Sequence, residues 1–125
     1  MSMRSVLFGL LFLAILAPTA AAAGDLPTAN GATVIHLDEY NGYFAAEDTL
    51  GGLEPGKYKF VVTNKAGKVV GFQVQHMTTH ETLTKFPLDP GETKSATVRI
   101  GEEGVRYRCP INPTPWYNLD NIKSP

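Results

Sequence analysis

The chain has 125 residues, 43% of them hydrophobic, and its eleven Lys and Arg nearly balance twelve Asp and Glu, for a formal net charge of −1. No run of like charge occurs, which excludes an electrostatic surface for nucleic acid or anionic membrane. One cysteine excludes an internal disulfide, so a domain of this size must rely on its core, a metal or a partner chain.

The first element is a secretory leader over residues 1–23. Arg4 supplies the positive end, Val6 to Ala17 the apolar core, and Ala21-Ala22-Ala23 the small residues before cleavage at Gly24. The apolar run is short of the roughly 20 residues a bilayer span needs, and no cysteine stands near the cleavage point to take a lipid. The expectation is a periplasmic or secreted protein with no membrane attachment after cleavage. Residues 24–32 read as a flexible lead-in, and 33–125 as one domain.

Thr33 to Leu37 is a β-branched first strand, with His36 on the face opposite Ile35 and Leu37. Asp38 to Ala46, around Asn41-Gly42, reads as a turn or irregular edge. Glu54-Pro55-Gly56 is a turn. From Lys57 to Asn64, Tyr58, Phe60 and Val62 alternate with Lys57, Lys59, Val61 and Thr63, a half-buried strand. After the turn at Asn64–Lys68, Val69 to Gln75 is a second alternating strand, and the pair reads as a hairpin. His76 to Lys85 is polar and aperiodic, with room for one helical turn. Leu88 to Glu92 turns the chain. Lys94 to Ile100 is a strand with Ala96, Val98 and Ile100 inward. Beyond Gly101–Gly104, Val105, Tyr107 and Cys109 point inward and Arg106 and Arg108 outward. Pro110, Pro113 and Pro115 end that strand, and Trp116, Tyr117 and Leu119 fold the tail back onto the body. Six or so short strands with turns between them predict an all-β antiparallel sandwich or barrel.

Catalytic patterns are missing. Beyond the leader the only serines are Ser95 and Ser124, neither in a triad-like setting, and there is no phosphate loop, His-Glu-x-x-His or Cys-x-x-Cys. The chain does not read as an enzyme. Cys109 has three readings: a packed small hydrophobe, a metal ligand alone or across a dimer, or an intermolecular disulfide. His76 and His80, four apart beside Met77, share a face if the segment is helical, and form either a solvated loop or a separate copper or zinc site.

Four segments in order, Leu53 to Asn64, Val70-Gly71-Phe72-Gln73-Val74, Leu88 to Thr93, and Gly104 to Pro110, resemble the cupredoxins, small exported copper-binding β-sandwiches. The resemblance spans roughly Thr33 to Tyr117. It implies an all-β, small antiparallel Greek-key β-sandwich with a copper cofactor and electron transfer, and a thiolate and two imidazoles in a trigonal set. It places the first imidazole at Val70, the second near Asn112, and the axial methionine among Thr114 to Tyr117, so Cys109 alone is kept. It also implies that His76 and His80 lie at the opposite end of the sandwich from Cys109. The expectation is therefore copper handling or electron transfer through a non-standard site using Cys109, in a monomer or a homodimer meeting at the Cys109 region. The competing expectation is a metal-free sandwich that binds a periplasmic protein partner.

Overall fold

The computed structural model describes residues 26–46, 50 and 52–122; the leader expected over 1–23 lies outside them. The described residues are all-β, with no helix. Nine strands follow in order: β1 Thr28–Ala29, β2 Ala32–Tyr40, β3 Tyr43–Ala46, β4 Gly56–Asn64, β5 Val70–His76, β6 Thr82–Leu88, β7 Thr93–Ile100, β8 Val105–Arg108 and β9 Tyr117–Leu119. One sheet runs β1-β2-β4-β7, with β3 also on β2; the other runs β6-β5-β8-β9.

The inward phases read from alternation hold. Tyr58, Phe60, Val62, Val98 and Ile100 of the first sheet share one core with Val70, Phe72, Val74, Val105, Tyr107 and Cys109 of the second. Phe60, Phe72, Tyr107 and Phe44 meet edge-on or tilted, with centroids 5.2 to 6.1 Å apart, spacings at which rings add stability beyond buried area. The tail does fold back: Leu119 is buried, and Tyr117 stacks on Tyr107 at 5.1 Å.

Four expectations are corrected. The sheets are not purely antiparallel, because β2 and β4 pair parallel from Thr33↔Tyr58 to Glu39↔Asn64. The β2–β3 hairpin reverses the chain, so β4 sets off beside β2 from the same end. Second, β4 and β5 form no hairpin. Both edges of β4 are taken, by β2 and β7, and residues 65–69 carry the chain across to the other sheet. Third, the polar stretch after His76 holds a single α-turn, closed by His80 N–H to the His76 carbonyl at 3.0 Å, and then the strand β6. Fourth, the lead-in contains a strand: β1 pairs with Ala32 and Thr33 through a turn at Asn30-Gly31, both at positive φ.

The crossing after β4 is fixed by Asn64, whose side chain is buried. Its Nδ2 donates to the carbonyls of Lys68 (2.8 Å) and Leu88 (3.1 Å), and its Oδ1 accepts from Ala66 N–H at 2.8 Å. Replacing it strands the buried Leu88 carbonyl and removes the donor to the partly buried Lys68 carbonyl. Asn64→Ala should therefore lower unfolding free energy by about 2–4 kcal/mol, measured by urea denaturation; a loss under about 0.5 kcal/mol, typical of a surface position, would show that the junction is not structural.

Candidate functional site

Cys109 follows the last residue of β8 and is fully buried, a free thiol. Its Sγ accepts two backbone N–H bonds at 3.3 Å, from Gly71 and from Asn112. Gly71 can approach because it has no Cβ; one built there would press on the Pro110 ring at 3.1 Å.

The residue that the sequence reading missed is Glu39. It lies on β2 in the same phase as Ile35 and Leu37, so strand geometry turns it into the core. Its exposure is 0%, and neither carboxyl oxygen makes a well-formed hydrogen bond. The polar group set against it is the Cys109 thiol. The signal was present: extending the first strand by two residues puts an acid at the next inward position.

The segment after Cys109 closes over this pair. Asn112 Nδ2 donates to the Asn41 carbonyl (2.9 Å) and Asn41 Oδ1 (3.0 Å), and Thr114 Oγ1 donates to the Gly42 carbonyl at 2.7 Å. Asn41 and Gly42 form the β2–β3 turn, both at positive φ. A Cβ on Gly42 would meet the Asn112 carbonyl at 2.8 Å. Asn112, at the expected place of the second imidazole, thus holds the loop down. Val70, at the expected place of the first, is buried in the core.

The other candidate residues lie elsewhere. His76 pairs with Val105 at the start of β8, about 13 Å along the strand from Cys109 at roughly 3.3 Å per residue. Its Nε2 donates to Glu103 Oε1 at 2.9 Å, and its Nδ1 accepts from Thr78 and Thr79 N–H, both at 3.1 Å. Both ring nitrogens are thus engaged. His80 is exposed, with its backbone in the left-handed region at φ 63. His36 is half-buried on the outward phase of β2. Arg106 and Arg108 face outward as expected, and their guanidinium carbons lie 4.1 and 4.2 Å from the Trp116 ring centroid; Arg106 also donates twice to Gln75 Oε1. Trp116 is therefore pinned to the outside of the second sheet. Among the described residues, no three His, Cys, Asp or Glu side chains converge to hold a metal; Glu39 and Cys109 make two.

No family model matches the chain, and no curated protein matches it.

The electrostatics follow from burial. Desolvation pushes the Glu39 carboxyl up to about 7, with its contact to the thiol pulling slightly the other way. Desolvation also raises the Cys109 thiol, opposed by the Asn112 and Gly71 N–H groups and reinforced by the Glu39 carboxyl. A carboxyl whose pKa is raised by folding favours the fold while protonated. The unfolded chain releases that proton near 4.5, and the folded chain near 7. The protein should therefore lose roughly 3 kcal/mol of stability from this group as pH rises across that window, with no further loss above it. In Glu39→Gln this contribution should vanish, and the variant should be the more stable of the two at pH 8. Unfolding free energies of both proteins across pH 4.5–8 check this; parallel curves would contradict the burial of the carboxyl.

Proposed function

We propose that this chain is an exported, cupredoxin-like Greek-key sandwich that handles copper through a non-standard site at Cys109. One observation carries the reading. The only thiol lies where the last core strand enters a proline-rich loop, its sulfur accepts two backbone N–H bonds, and an otherwise unpartnered buried carboxyl lies against it. The strand course supports it as well, since the chain changes sheets after β4, after β6 and after β7.

The residues present do not fit a trigonal two-imidazole centre, because Val70 and Asn112 stand at the imidazole places and the histidines are elsewhere. They do fit a cation held by sulfur and carboxylate, since a buried carboxylate without a partner is costly unless a counter-charge accompanies it. Copper bound there would supply one-electron redox chemistry or travel as cargo. Cys109 would hold it, and the Gly71 and Asn112 N–H groups would stabilise the thiolate. Two protein ligands are an incomplete set, and a ligand from another protein could complete it only if the segment at 110–112 were displaced. A second copy could contribute its own Cys109 only if the segment at 110–112 were displaced, because the thiol is fully buried.

Reduced protein from the exported fraction, titrated with Cu(I) and with Cu(II), should bind one copper per chain without an intense blue colour. Cys109→Ala should lose it. Wild-type protein free of copper under both titrations would end this reading.

A specific observation also favours the metal-free partner-binding reading. Among the described residues, the exposed large hydrophobic ones are Tyr40, Tyr43, Val69 and Ile111. They lie on the β2–β3 turn, just before β5 and just after Cys109, all at one end of the sandwich. On this reading Tyr43→Asp and Ile111→Asp should each abolish recovery of a bound protein from periplasmic extract while leaving the thermal midpoint within about 2 °C of wild type, as for surface changes generally. Unchanged recovery would sink it.

A further inference from the structure

We propose that Glu39 is the second protein ligand of the Cys109 site, and that with it the site takes a divalent cation in preference to a monovalent one. This rests on the copper reading above and adds the charge class of the ion.

Glu39 is enclosed completely, yet neither oxygen is satisfied. Among the described residues, the ion pairs are His76–Glu103 and Lys94–Glu92, so no side-chain cation neutralises Glu39. Lys65 comes near through its backbone only: its N–H donates to the Glu39 carbonyl at 2.8 Å, while its side chain is exposed. Buried polar groups nearly always find partners, and one that does not has a ligand or a functional use to explain it. The carboxyl is set against the one thiol of the chain, whose sulfur accepts two backbone N–H groups that favour its charged form.

The charge count then selects the ion. A thiolate and a carboxylate bring two negative charges to one dry place. A divalent ion cancels both, whereas Cu(I) leaves one uncompensated charge buried, which is expensive in a low-dielectric interior. Ligand softness points the same way: a thiolate alone favours Cu(I), and a carboxylate oxygen adds preference for a harder ion. Each ligand gives up its proton to solvent on binding, and no oxidation or reduction is needed.

The test uses the reduced mature chain. Co(II) and Cu(II) are titrated while sulfur-to-metal charge-transfer absorption is followed, and Cu(I) is titrated against a competing Cu(I) chelator. Wild type should bind one divalent ion per chain. Glu39→Gln should weaken divalent binding at least about tenfold and change Cu(I) affinity much less. Glu39→Asp, which keeps the charge but draws it back by one methylene, should fall between. Thermal unfolding of each variant confirms that it is folded. Equal divalent affinities for wild type and Glu39→Gln would overturn the role of Glu39 while leaving Cys109 as a ligand. Wild type that takes Cu(I) but no divalent ion would overturn the charge preference. Wild type that binds no metal at all would remove the copper reading itself, and this inference with it.

Discussion

The fold depends on the hydrogen bonds of Asn64. At that residue the chain leaves one sheet for the other, and a crossing of this kind leaves backbone groups without strand partners. Asn64 supplies the substitutes. Its side chain serves Lys68, Leu88 and Ala66, while its own N–H and carbonyl bond to Glu92 and Gly91. One residue, through its side chain and its backbone, thereby ties the end of β4, the approach to β5, the end of β6 and the turn before β7. The next residue, Lys65, donates to the Glu39 carbonyl, so the same junction fixes the position of the buried acid. The geometry at Cys109 is thus inherited from a crossing whose purpose is structural.

Three separate pieces of chain close the Cys109 end. Gly71 brings its N–H to the sulfur from β5, the Asn112 N–H comes from the loop after β8, and the Asn41-Gly42 turn anchors that loop through Asn112 and Thr114. None is near another in sequence. Cysteine in such a place packs as a small hydrophobe at little cost; glutamate does not. The carboxyl displaces apolar volume and offers the core nothing in return. Its charge is what the interior resists, which is why protonation rather than ion pairing sets its behaviour.

Much of this was legible in the residues. Period-two alternation placed Tyr58, Phe60, Val62, Val70, Phe72, Val74, Val105, Tyr107 and Cys109 inward, because each strand has one face on a shared core and the other in solvent. What alternation cannot give is which strand lies beside which. Residues 57–75 look like a hairpin locally, and only the occupation of both β4 edges sends β5 to the other sheet. Strand β6 was hidden for a different reason. It has a solvent-facing edge and carries Thr, Lys and Pro where a central strand would carry Val and Ile. Glu39 escaped because an acid in a predicted strand reads as its end. The strand in fact continues through it, held by parallel pairing with β4, a long-range partner that no local pattern reveals.

The tail shows how a domain of this size manages without a disulfide. Tyr117 stacks on Tyr107, and its hydroxyl oxygen accepts the Phe44 N–H at 3.1 Å. Leu119 fills the core beside Val105. Trp116 meanwhile lies on the opposite side of the same strand under two guanidinium groups, each contact adding about 0.5–1 kcal/mol when partly exposed. Alternation of tail residues thus grips β8 from both faces, immediately after the prolines that end it. The grip matters for Cys109 because the loop that covers the thiol is tethered at both ends, by β8 before it and by this clamp after it. A loop fixed at both ends has little conformational entropy left to lose. The burial of the Glu39–Cys109 pair is therefore maintained by packing that lies outside the pair, and a change at Trp116 or Tyr117 reaches the thiol through the loop rather than through any direct contact.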